Sequence, residues 1–205
     1  QEHMLSLWRW VLLPRMQRLH LAFAVSPAAQ RAYQLYFGDA PFEVVPNGID
    51  LQRFSPNGHV EPPAGEQCLL FVGQLVPKKG LRSLLEAFAL LLAEYPRLRL
   101  RVVGGGPDLE RYRRQLVPPL RGQVEFVGEQ HGSNLVQSYR DCDVFCAPSL
   151  GHESFGITLL EAMAAGKPIV AARIPGYVDV VGDGEQAVLY QSGDVRALRD
   201  ALRHV

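Results

Sequence analysis

The chain has 205 residues, 47% hydrophobic and 20% charged, which are the proportions of a soluble globular protein able to bury one good core with a smaller piece beside it. Its 21 Lys and Arg balance 21 Asp and Glu, so nothing in the charge supports a nucleic-acid partner.

In chain order, Met4 to about Leu21 is a helix-like segment bearing Trp8, Trp10, Leu12, Leu13 and Met16, interrupted by Pro14. Between Met4 and Gly38 stand Arg9, Arg15, Arg18 and Arg31 and no acid, and two readings fit. One is a helix packing into a neighbouring domain; the other is a basic, Trp-bearing stretch suited to a membrane surface. Leu21 to Val25 reads as a strand ending at Ser26-Pro27, and Asn47-Gly48 is expected to supply a turn within a connection from Val45 to Asp50. Alternation of strand and helix follows. Strands are expected at Leu69–Val72, Leu98–Val103, Val124–Val127, Val144–Ala147 and Ile169–Ala172. Helices are expected at Leu81–Leu92, with Leu84, Leu85, Phe88, Leu91 and Leu92 on one face, from about Asp108, at Asn134–Arg140, and at Ile157–Ala165 up to Gly166. A last helix, capped by Asp194, places Val195, Leu198 and Leu202 on one face. The pattern predicts an α/β, Rossmann-like parallel sheet with helices on both faces, whose ligands collect at the carboxyl ends of the strands.

Cys68, Cys142 and Cys146 are odd in number, and Cys68 and Cys146 lie in apolar runs, so they read as buried free thiols of a reducing compartment. No His stands at ligand spacing from Cys142 and Cys146, and no metal site is expected. No apolar run reaches the roughly 18 residues of a membrane span and no cleavable signal is evident, which points to the cytoplasm.

The richest segment is Pro148 to Ala171. Glu153 falls in the loop Pro148–Ser154 and Glu161 on the following helix, two turns further on. The free N–H groups near Phe155, Gly156, Ile157 and Thr158 give a helix N-terminus with roughly half a positive charge, suited to a phosphate, and Gly156 lets a ligand approach the backbone. Glu153 can accept hydrogen bonds from sugar hydroxyls and Glu161 can take a vicinal diol such as ribose. Taken singly, each is equally an ordinary loop acid or solvated helix acid; the apolar Ala162-Met163-Ala164-Ala165 after Glu161 predicts instead a partly buried carboxylate that needs a partner. Gly104-Gly105-Gly106-Pro107 invites a dinucleotide fingerprint, but its third glycine would be position 109, which is Leu.

Glu153, seven residues and Glu161 reproduce the mark of the retaining family-4 glycosyltransferases of the two-domain GT-B type, which the chain resembles from about Ala24 to its last residue. The resemblance also covers Val45-Pro46-Asn47-Gly48-Ile49-Asp50 with Phe54, Phe71-Val72-Gly73 leading to Lys79-Gly80, Gly104-Gly105-Gly106-Pro107 and Phe126-Val127-Gly128. Gly151 to Gly166 looks most like the bacterial phosphatidylinositol mannosyltransferase branch. The family implies transfer of a hexose from a GDP- or UDP-linked sugar to an acceptor hydroxyl with retention and without a required metal or other cofactor. Glu153 and Lys79 would be catalytic, the first holding the sugar and the second, with the amides near Ile157 and Thr158, meeting the charge on the leaving diphosphate; Glu161 would hold the ribose. Gly104 and Gly105 would let the backbone pass the nucleotide, and Gln130 after Gly128 would face the base. Ser154, Phe155 and Gly156 complete the donor contacts. Where the family usually carries Arg after the strand-end glycine this chain has Gln74, a donor without charge. The resemblance also implies two parts: residues 1–45 as the last elements of an N-terminal acceptor domain, and 46–205 as a donor-binding domain short of its final helix. Partners would then be a nucleotide sugar, that N-terminal domain and a membrane surface or lipid acceptor at the inner face. A non-catalytic nucleotide-sugar-binding module is the alternative.

Overall fold

The computed structural model describes residues 21–38, 42–57 and 66–205, so the helix expected from Met4 to about Leu21 lies outside the described residues except at its last position. The chain divides into two compact units, 1–48 and 49–205.

In the first unit, β1 (Ala22–Ala24), α1 (Pro27–Phe37) and β2 (Phe42–Val44) follow one another, and β1 and β2 pair in parallel with Ala22 opposite Phe42. Ser26-Pro27, read above only as the end of a strand, starts α1: the buried Ser26 hydroxyl accepts a 3.0 Å hydrogen bond from the Ala29 N–H, and Pro27 occupies the first turn, where its missing N–H costs nothing.

The second unit opens with a correction. The chain runs from Val45 to Asp50 without a turn, and the turn falls at Leu51–Phe54. Asp50 makes it, its carboxylate accepting from the Gln52 and Arg53 N–H groups at 3.0 Å each, a bond Asn47 does not form. Phe54 is thereby delivered into the core.

Six strands follow, each connected to the next through helical segments: β3 (Gln67–Val72), α2 (Leu81–Leu91), β4 (Leu98–Val103), α3 (Leu109–Gln115), β5 (Val124–Gly128), α4 (Gly132–Arg140), β6 (Val144–Ala147), α5 (Ile157–Ala164), β7 (Ile169–Ala172), α6 (Pro175–Val178), β8 (Val188–Tyr190) and α7 (Val195–His204). All pair in parallel, in the order β5-β4-β3-β6-β7-β8. This is the expected Rossmann-like α/β fold, with β8 and the four-residue α6 added. Both were too short to give a period of their own. β7 is buried at all four positions, as a parallel strand covered on both faces must be. On α2, Leu84, Leu85, Phe88 and Leu91 are buried as the stripe predicts, and α2 packs against α7, where Leu198 and Leu202 are buried and Asp194 accepts from the Arg196 and Ala197 N–H groups. The cysteines are free; Cys142 and Cys146 are buried and Cys68 half-buried. Burial pushes the Cys68 thiol up to about 11, which keeps it protonated and unreactive at neutral pH.

The strand order reverses once. From β3 the chain builds outward through β4 to the edge strand β5, then returns to the other side of β3 with β6. In an open parallel sheet the carboxyl ends of the strands at such a reversal border a crevice where ligands bind, and here the loops leaving β3 and β6 meet along it. Gly80 lies at that contact. It sits at φ 72°, and a Cβ there would overlap the Pro148 carbonyl, so the loop after β3 can touch the loop after β6 only through glycine. Gly80→Ala is expected to lose more than about 3 kcal/mol of stability in urea unfolding, combining left-handed strain with the overlap. Gly184→Ala, at φ 75° in open space, is expected to lose only about 1–2 kcal/mol.

Candidate functional site in the crevice between the third and sixth strands

Three contacts join the two loops. Besides the Gly80 packing, the Leu150 N–H donates to the Lys78 carbonyl at 2.8 Å, and the Lys79 ammonium meets Glu153 Oε1 at 2.7 Å. Lys79 reaches this position along the end of β3, its Cδ lying over Gly73. The sequence assigned the two residues to different parts of a ligand; in the structure they pair with each other. At 24% and 12% side-chain exposure both can still be reached from solvent.

Glu153 is held from beneath as well. The Ser149 hydroxyl donates to Oε1 at 3.2 Å and shares a 2.8 Å hydrogen bond with the Tyr177 hydroxyl. With the serine proton directed to the carboxylate, the tyrosine must donate to the serine, giving a chain Tyr177 to Ser149 to Glu153. Ser149 and Tyr177 are almost fully buried. Burial, the largest effect, pushes the Tyr177 hydroxyl well above its ordinary value, so it remains a donor. α6, missed in the sequence, is the platform for this arrangement. Gly176 admits the Glu153 backbone, and the Tyr177 ring lies against Gly156, where a Cβ would come within 2.7 Å of it.

Gly156 precedes α5 in the left-handed conformation, φ 82°, and no side chain caps the helix. The amides at Ile157 and Thr158 are therefore the free donors anticipated at this N-terminus. Phe155 is buried, Ser154 exposed and Ile157 exposed. The two glutamates have different surroundings. Glu161, on α5, accepts a 2.6 Å hydrogen bond from the Tyr139 hydroxyl. Burial raises the Glu161 carboxyl above the ordinary 4.5, while the Tyr139 bond and the Arg53 guanidinium pull it down. This is the partner that the apolar surroundings of Glu161 required, and its identity was not legible in the sequence because Tyr139 lies on another helix.

The glycine run after β4 serves the protein first. The Gly104 N–H donates to Gly128 at 2.8 Å and the Leu75 N–H to Gly105 at 2.7 Å, while a Cβ at Gly104 would overlap the Gly73 carbonyl. The carboxyl ends of β3, β4 and β5 are thereby drawn together. Gly105 carries the Glu129 carboxylate folded over it, and the Gln130 amide turns back toward the Val127 carbonyl at 3.5 Å. Gln74 is exposed beside this run, with its carbonyl accepting from the Val76 N–H at 3.0 Å.

The family model for group 1 glycosyl transferases matches residues 58–205, which contain all of these side chains except that of Arg53. The chain belongs to this family. It is 34% identical over 200 residues to the phosphatidyl-myo-inositol mannosyltransferase of Mycolicibacterium smegmatis, an alignment covering 97% of this chain and 51% of the relative. The chain thus spans about half the length of the curated relatives it matches. The Anabaena protein Alr3699/HepE, solved in complex with UDP and glucose, superposes with a TM-score of 0.84 over 100% of this chain and 57% of its own, at 23% identity. The C-terminal domain of the group 1 glycosyl transferase LpcC from Francisella tularensis superposes with a TM-score of 0.67 at 23% identity, covering 77% of this chain and 87% of that domain. These neighbours share the GT-B type of Rossmann-like fold. Among the described residues, no helix of the group 1 chain is long and apolar enough to cross a membrane.

A carboxyl raised in the folded state stabilises the fold fully below its unfolded value and loses that contribution as pH rises through the folded value. Glu161→Gln copies the protonated form. Its stability relative to the wild type is therefore expected to rise from pH 4 to pH 8, with the change beginning near 4.5, as read by thermal unfolding across that range.

Proposed function

We propose that the protein transfers a hexose from a nucleoside-diphosphate sugar to an acceptor hydroxyl with retention at the anomeric carbon, and that this chain carries the donor-binding part. The observation that carries the reading is the Lys79–Glu153 ion pair, formed by the loop that leads into the uncapped N-terminus of α5 at Ile157 and Thr158, with Glu161 one turn along that helix. A leaving diphosphate gains negative charge as the glycosidic bond breaks. Lys79 and oriented amides already in place stabilise that charge most where it is greatest, which lowers the barrier without a metal. Glu153 Oε1 is taken by Lys79 and Ser149, which leaves Oε2 for a sugar hydroxyl. Glu161 takes the ribose diol.

The hexose is mannose by analogy with the mannosyltransferase relative, carried by GDP or UDP, with a UDP-linked glucose as the second reading because HepE was solved with UDP and glucose. A lipid acceptor of the phosphatidylinositol type rests on the relative's name, and action at the cytoplasmic membrane face is proposed with it. The 205-residue chain spans about half of that relative, and by itself it is expected to bind donor without turnover.

Calorimetric titration with GDP, UDP, GDP-mannose and UDP-glucose tests the site. One nucleotide and its sugar should bind selectively, and Lys79→Ala should weaken the diphosphate about 10- to 100-fold, the worth of a charge-assisted hydrogen bond, while leaving the nucleoside unaffected. Binding of none of the four would remove the reading.

A further inference from the structure

A glutamate side chain has three rotatable bonds, and holding it in one arrangement costs roughly 1.5–2 kcal/mol of rotamer freedom. Glu161 does not bear that cost at the moment a ligand arrives, because Tyr139 already holds it. Tyr139 is 0% exposed and its hydroxyl lies 2.6 Å from Glu161 Oε2. The phenol is itself immobile: its ring packs edge-on against Phe54 at 5.9 Å and tilted against Phe145 at 5.4 Å. Phe54 comes from the turn that Asp50 makes and Phe145 from β6, so three separate elements converge to aim one hydroxyl. An ionised carboxylate has about four lone-pair sites, and Tyr139 uses one. The rest remain for the two hydroxyls of a vicinal diol.

We propose that Tyr139 is a positioning residue for nucleotide binding, fixing the Glu161 carboxylate in the arrangement that takes the ribose diol. The inference rests on the donor-site reading above. Tyr139 touches no part of the nucleotide; it acts through Glu161. Phenylalanine retains the ring packing with Phe54 and Phe145 and removes only the hydroxyl, which makes the substitution selective.

The test compares the preferred nucleoside diphosphate with its 2′,3′-dideoxy counterpart by calorimetry on the whole chain. Wild type should bind the dideoxy form about tenfold more weakly, one hydrogen-bonded group's worth. Tyr139→Phe should weaken the ribose form about three- to tenfold and the dideoxy form not at all. If Tyr139→Phe lowers the melting temperature, the titrations are made at low temperature where the variant is folded, and in a Glu161→Ala background Tyr139→Phe should weaken neither form further, because the phenol acts only through Glu161. An equal loss on both ligands, or no loss on either, overturns the positioning role while leaving the donor site standing. If wild type binds no nucleotide, the donor-site reading and this inference fall together.

Discussion

The candidate site depends on β6 pairing with the free side of β3. Had the chain continued outward from β5, the loop carrying Glu153 would have been at a sheet edge, three strands from Lys79. Returning to β3 brings the two loops face to face, and the register of Leu69 with Val144 and Leu70 with Phe145 sets how far each projects. Asp143 secures the first rung: its N–H donates to the Cys68 carbonyl at 2.9 Å and its carboxylate accepts from the Cys68 N–H at 2.7 Å. Chemistry at the top of the crevice is therefore referred to a hydrogen-bonded ladder beneath it.

Charge in the crevice is compensated before any ligand arrives. A partly buried ammonium and a partly buried carboxylate satisfy each other in the Lys79–Glu153 pair, which limits the desolvation that either would suffer alone. An incoming diphosphate competes for the cation, and a sugar hydroxyl competes for the anion. With Gln74 bringing no second charge, Lys79 is the cation on which the diphosphate reading leans, and its partner sets how readily it is released.

Much of this was legible in the sequence, and the reasons differ element by element. β4, β6 and β7 had the expected ends because short apolar runs bounded by Gly, Pro or Asp admit few other readings. The helix stripe of α2 was equally plain. β8 and α6 were not, since three or four residues carry no period. The α1 start was written in Ser26-Pro27 and was overlooked as a cap. Glu153 and Glu161 could be singled out because they share one local segment, and Lys79 because the family resemblance marks its position. Their mates could not: Tyr139 stands 22 residues from Glu161, and Tyr177 stands 28 from Ser149. Such pairings belong to tertiary structure, where no local pattern reaches. The glycines illustrate a subtler gap. Gly104 and Gly156 were expected to make room for a ligand, whereas their immediate neighbours are the Gly73 carbonyl and the Tyr177 ring.

The β3–β6 pairing also orders events in time. Cys68 and Asp143 are 75 positions apart in the chain, and closing so long a loop is entropically costly until intervening elements have docked. β3 with β4, and β6 with β7, are neighbours joined by one helix each and can form early. By loop closure, the central seam between those halves is the costlier pairing to form first. A nascent chain would therefore hold two half-sheets, one bearing the cation and the other the carboxylates, and the crevice would come into existence in the single step that completes the domain.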